Sequence, residues 1–151
     1  MKKITIIAIL LCIQINSYPS IASESFSANE VTYVVEMSAK KPADQIDQFS
    51  QYYQQLVEKN EPGTLAWQFF RGGDDKIYLI ERYENSEAAN QHISNISPGG
   101  LSEEEFGRFT EHFVIEKIQV HGAASDDLKA ALEAAGFNLE FRIPISGYSR
   151  K

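Results

Sequence analysis

The sequence predicts an α+β fold, one antiparallel sheet with helices laid against it, and three observations carry that prediction. From Ala43 to Asn60 the apolar residues Ile46, Phe49, Tyr53, Leu56 and Val57 recur at helical spacing. Asp44, Asp47, Gln48, Gln51, Gln55 and Lys59 take the opposite side. Two strand-type runs, Leu65 to Phe70 and Ile77 to Tyr83, flank Gly72-Gly73-Asp74-Asp75, a composition suited to a tight hairpin with φ > 0 positions. Beyond them, two more helix starts each lead into another apolar strand.

Taken in order, Val31 to Met37 (VTYVVEM) is β-branched and aromatic and forms the first strand. Pro42 is excluded from a helix interior but suits the position just before one, so the helix of 43–60 starts there. Pro62-Gly63 reverses the chain into the second strand. After the hairpin, the Ser86 hydroxyl is placed to cap a helix that sets Ala89, His92, Ile93 and Ile96 to one side. Ser97-Pro98-Gly99-Gly100 is a loop. Ser102 and Glu105 then have the spacing of a capping box, with Leu101 and Phe106 at the staple positions. Phe113 to Val120 follows as the fourth strand, which completes β-α-β-β-α-β, the ferredoxin-like order. A C-terminal αβ extension comes last. Ser125 caps a helix with Leu128, Ala131, Leu132 and Ala135 on one face, Gly136 stops it, and Leu139 to Ile145 is a strand. Pro144 removes a ladder donor there, so that strand belongs at the sheet edge.

The N-terminus reads as an export signal over residues 1–22. Lys2 and Lys3 precede an apolar stretch from Ile4 to Ile13, and Ser20-Ile21-Ala22 is a small-x-small cleavage site. The apolar stretch breaks at Gln14 and Asn16, short of the roughly 20 residues that span a bilayer. The expected product is periplasmic or secreted, with a loose polar leader over 23–30, a main domain over 31–122 and the extension over 123–151. Loss of Lys2 and Lys3 would take the formal charge from −7 to −9, and the only cysteine, Cys12, would leave with them. An acidic chain lacks the clustered Lys/Arg that neutralises nucleic-acid phosphates or an anionic membrane, so neither is an expected partner. Without cysteine, and with His92, His112 and His121 far apart, no structural zinc site is expected.

The Glu-Pro-Gly at Glu61 to Gly63, the Glu81 near the end of the third strand and the Ala-to-His run of Ala88 to His92 resemble the antibiotic biosynthesis monooxygenase family. The resemblance runs roughly from Val31 to Gly122. It implies a dimeric α+β barrel, in which two sheets pack face to face as a homodimer. That would cover a first strand with apolar residues on both sides, Val31, Tyr33 and Val35 against Val34. The family includes cofactor-free quinol oxygenases, so the resemblance implies a small aromatic substrate, dioxygen and no cofactor.

His92 is the foremost candidate for a base, at the margin of its helix's apolar stripe; a core histidine bonded to a backbone carbonyl is the alternative. Glu81 shares a strand face with Ile77, Leu79 and Tyr83, where a carboxylate is costly unless bonded or paired. It is either an acid–base group with a shifted pKa or half of a salt bridge to Arg71, Arg82 or Arg108. Trp67, Tyr83 and Tyr53 are the candidate substrate-binding aromatics, with a core position as the alternative for Trp67, and a one-residue choice of hairpin register decides whether Trp67 shares a face with Glu81. A non-catalytic binding or stress protein on the same fold is the alternative function. The haem-degrading branch fits less well, since it carries a tryptophan where this chain has His92 and a histidine where this chain is near Ser102.

Overall fold

The computed structural model describes residues 29–147 apart from Asp75, so the expected export signal lies outside the described residues. The elements are β1 (Val31–Ala39), α1 (Ala43–Asn60), β2 (Thr64–Arg71), β3 (Lys76–Tyr83), α2 (Ser86–Ile96), α3 (Glu103–His112), β4 (Phe113–Gly122), α4 (Asp126–Ala134) and β5 (Leu139–Arg142). They form one sheet in the order β2-β3-β1-β4-β5. The first four strands are antiparallel in the ferredoxin-like arrangement, and β5 joins the edge parallel to β4. A helix between two neighbouring strands permits parallel pairing, and α4 supplies it.

Alternation along the strands decides which face is covered. Val31, Tyr33, Val35 and Met37 of β1, with Ile77, Leu79, Glu81 and Tyr83 of β3, point toward the helices and are buried. From α1 come Ile46, Phe49, Tyr53 and Val57, four residues of the predicted stripe. Each such apolar side chain contributes roughly 1.5–3 kcal/mol by leaving water. Phe109 of α3 joins the layers, its ring 4.8 Å from that of Phe113 and 5.0 Å from that of Tyr53.

The opposite sheet face is mixed. Thr32, Val34, Glu36 and Ser38 are half-buried, Phe70 and Val114 are each 47% exposed, and Lys76 pairs with Glu116 while Lys117 and Arg142 pair with Glu140.

Several local expectations need correction. Asn85, not Ser86, caps α2: its extended backbone lets the side chain accept from the Ala88 N–H at 2.9 Å. The Ser86 hydroxyl instead accepts from the Ser125 N–H at 3.0 Å, tying the start of α2 to the cap of α4. Ser102 stands at the N-cap of α3 but has ψ 23°, outside the extended region, and its hydroxyl makes no capping bond; Leu101 is 70% exposed and staples nothing. Gly72 and Gly73 do not take positive φ, and Gly72 instead lies close against the Tyr78 ring. Strand β5 ends at Arg142, before Pro144 rather than through it. Glu30, assigned to a loose leader, is buried and accepts from Arg82 at 2.9 Å. Two readings of the extension hold: Ser125 caps α4 through the Leu128 N–H at 3.2 Å, and Gly136 follows α4 at φ +76°.

Candidate functional site

The site grows from the junction of α1, β2 and α2. Glu61 caps the C-terminus of α1, its N–H bonded to the Val57 carbonyl at 2.9 Å. Pro62-Gly63 then turns the chain under α2. A Cβ on Gly63 would lie 2.7 Å from the Ala88 Cβ, so only glycine lets the turn approach the helix this closely. The Gly63 carbonyl accepts from the Glu84 N–H at 3.0 Å. This close approach brings the buried side of α2, carrying Ala89, His92 and Asn95, against the Glu61 carboxylate.

Glu61 is heavily coordinated. His92 Nδ1 lies 3.0 Å from both of its oxygens, Asn95 Nδ2 donates to Oε1 at 3.1 Å, and the Thr64 hydroxyl donates to Oε2 at 3.0 Å. Gln91 in turn orients Asn95, donating to its Oδ1 at 2.9 Å. The side chains of His92 and Glu61 are only 7% and 6% exposed, which makes this a buried pair. Burial alone would raise the Glu61 pKa, but the bond and charge of His92, with Asn95 and Thr64, hold it below the ordinary value of 4.5. Burial pulls His92 down, yet its bond to Glu61 and the charges of Glu81 and Glu61 carry it above 6.5. With Nδ1–H committed to Glu61, Nε2 is the ring nitrogen left for chemistry.

Glu81 sits one strand away. It is paired across the ladder with Trp67 of β2 on one side and Tyr33 of β1 on the other, so all three share the helix-facing side. An irregularity between Thr64 and Ala66 sets that register. No arginine bonds to Glu81 among the described residues; its partner is the Tyr83 hydroxyl, donating to Oε2 at 2.6 Å. Burial raises its pKa, with the His92 charge and the Tyr83 bond opposing. The neutral acid is therefore favoured further up the pH scale than for an ordinary glutamate.

A cavity of about 40 Å³ lies between these groups, lined by Tyr33, Trp67, Glu81 and His92 together with Phe106 and Phe109. The Tyr33 hydroxyl and the Trp67 indole N–H are buried and have no hydrogen-bond partner among the described residues. Burial, and next the Glu81 charge, hold the Tyr33 phenol far above its usual pKa, so it stays a donor. Trp67 also lines an open groove of about 840 Å³ between α1 and β2, as does Glu61. Trp67 thus borders both groove and cavity.

Of the sequence candidates, His92, Glu81 and Trp67 meet at the cavity. Tyr83 and Tyr53 stand one layer behind it: Tyr83 bonds Glu81 with its ring 5.7 Å from His92, and Tyr53 backs Trp67 at 5.8 Å. Sequence reasoning passed over three participants, Glu61, Asn95 and Tyr33. Glu61 left one signal, since an acid at a helix C-terminus opposes the macrodipole and needs another partner. Among the described residues no three His, Asp or Glu side chains are grouped to hold a metal ion.

The model of the antibiotic biosynthesis monooxygenase domain matches residues 31–111, more than half of the 151-residue chain. The chain belongs to the antibiotic biosynthesis monooxygenase family. No curated protein sequence matches it. Among solved structures, MupZ from Pseudomonas fluorescens is 22% identical, with a TM-score of 0.59 over 81% of this chain and 95% of that one. SnoaB from Streptomyces nogalater, a cofactor-independent oxygenase, is 16% identical with a TM-score of 0.50 over 64% of this chain and 95% of that one. At these identities the two structures establish a shared fold.

Proposed function

We propose that the protein is a cofactor-independent monooxygenase that oxidises a small quinol or phenol. The observation that carries the reading is that Tyr33 and Trp67, whose buried donors have no partner among the described residues, line the same cavity as the Glu61-held His92. Buried donors without partners are costly and rare, and a substrate oxygen would satisfy them. In this reading His92 Nε2 takes the proton of a quinol hydroxyl while Tyr33 and Trp67 hold the resulting oxyanion. The anion is electron-rich enough to reduce dioxygen directly. One oxygen atom then enters a ring C–H, the other leaves as water, and the quinol becomes a hydroxyquinone. The protein contributes the base, the oxyanion donors and a site closed to water.

The test is oxygen uptake by purified protein on a panel of hydroquinones, with and without added haem. Uptake without haem is expected. Uptake only with haem would favour the haem-degrading alternative, although a cavity of about 40 Å³ is far too small for a macrocycle. The small cavity is also the observation that favours the second reading, a non-catalytic binding protein. Binding of quinols with no uptake under either condition would establish it.

The same reading includes a homodimer through the open sheet face, where Val34 and the exposed Phe70 and Val114 lie among the ion pairs. Light scattering should return twice the chain mass at micromolar concentration. A strictly monomeric mass would remove the dimer.

A further inference from the structure

The cavity wall shared with Glu81 and His92 includes residues of the C-terminal extension, beyond the 31–111 match. Leu132 of α4 and Phe137, in the turn between α4 and β5, both line it. The remaining volume of about 40 Å³ admits a water or dioxygen but no aromatic ring, against the roughly 300 Å³ or more of ordinary ligand pockets. Any ring that enters this cavity must therefore displace a wall.

The walls differ in how firmly they are held. Tyr33, Trp67 and Glu81 sit in paired strands. Phe106, Phe109 and Leu132 are carried on helices, with Leu132 buried. Phe137 alone projects from a turn, and it is only partly buried. It follows Gly136 at φ +76° and precedes Asn138, whose carbonyl accepts from the Ile118 N–H at 2.9 Å. The backbone on its far side is thus pinned to β4. A rotation of the Phe137 side chain leaves that bond intact, and no helix or strand packs its neighbours in register around it.

We infer that the extension is a size filter for this site: the Phe137 ring occupies the place of the substrate ring and turns out when it binds, and Leu132 sets the limit behind it. A phenyl group replaced by one aromatic ring conserves the packing, so the preferred ligand class is a single-ring quinol or phenol, with fused rings excluded. The inference rests on the quinol reading for its choice of ligand, but its test does not depend on turnover.

Trp67 is the only tryptophan of the chain and lines the cavity, so its fluorescence reports directly on a ligand there. The probes are hydroquinone and 1,4-dihydroxynaphthalene, titrated without oxygen into the full protein and into Phe137→Ala and Leu132→Ala. Wild type is expected to bind hydroquinone at least tenfold more tightly than the bicyclic probe. Each variant should gain about tenfold for the bicyclic probe, in the range that small changes of pocket volume produce. Circular dichroism confirms which variants are folded, and Phe137→Leu serves if the alanine variant is not. Equal binding of both probes by all proteins would overturn the filter and point to passage past Trp67 from the groove. No response in any folded protein would overturn it as well. Oxygen uptake decides the quinol reading separately: altered size preference without uptake keeps the filter and removes the oxygenase, and uptake with unaltered preference does the reverse.

Discussion

Replacing His92 by alanine is expected to lower turnover on a quinol by about 10²–10⁴-fold, the ordinary worth of a positioned base. The same change should destabilise the fold by about 3–5 kcal/mol, because Glu61 would be left as a buried carboxylate without its ionic partner. Rate must therefore be expressed per folded molecule, below the lowered melting temperature. His92→Asn separates the two losses. Its amide nitrogen falls near the position of Nδ1 and can still donate to Glu61, so part of the stability should return while the rate does not. Full activity per folded alanine variant would remove His92 as the base and leave Glu81 as the candidate.

The regular parts of this fold were legible because each rested on a repeated pattern. The stripe of Ile46, Phe49, Tyr53 and Val57 is sampled over a long helix, and it reappears as the buried side of α1. Single-residue signals fared worse. Asn85 and Ser86 are adjacent and both suit an N-cap; the choice fell to Asn85 because Ser86 is drawn to the cap of α4, a contact between segments far apart in sequence. Ser102 kept its position at the start of α3 but lost its role, since the loop before it is held by a backbone bond from Ser102 N–H to the Asn95 carbonyl. The site shows the same division. His92 and Glu81 stood out as polar residues on apolar faces, which is a property of one element at a time. Glu61, Asn95 and Tyr33 matter only through partners brought to them by the Pro62-Gly63 turn and by strand pairing. The register that joins Trp67 to Glu81 depends on an irregularity in β2 that no alternation pattern announces.

Glu61→Gln tests that hidden partner through pH. In the wild type His92 titrates above 6.5, so the free imidazole accumulates, and the rate rises, only as pH passes that raised value. Glutamine keeps one oxygen, which at the Oε1 position still accepts from His92 Nδ1–H and from Asn95, while its NH2 replaces the oxygen that accepts from Thr64 and the charge is removed. Burial, the largest influence on His92, then acts against the charge of Glu81 alone, without the bond and charge of a Glu61 carboxylate. The His92 pKa should fall, and the rising limb of the pH–rate profile should move to lower pH. Stability should respond with a matching sign. Glu61, lowered in the fold, stabilises above its unfolded pKa of 4.5 and loses this as pH falls through its folded value. His92, raised in the fold, stabilises below its unfolded 6.5 and loses this as pH rises through its folded value. The pair is therefore strongest between those two pKa values, and the wild type should melt lower as pH climbs past the His92 folded value. In Glu61→Gln that alkaline loss should vanish, because no raised histidine remains to be discharged. A limb that stays in place in the folded glutamine variant would show that the titrating base is not His92, whatever the alanine variant had cost.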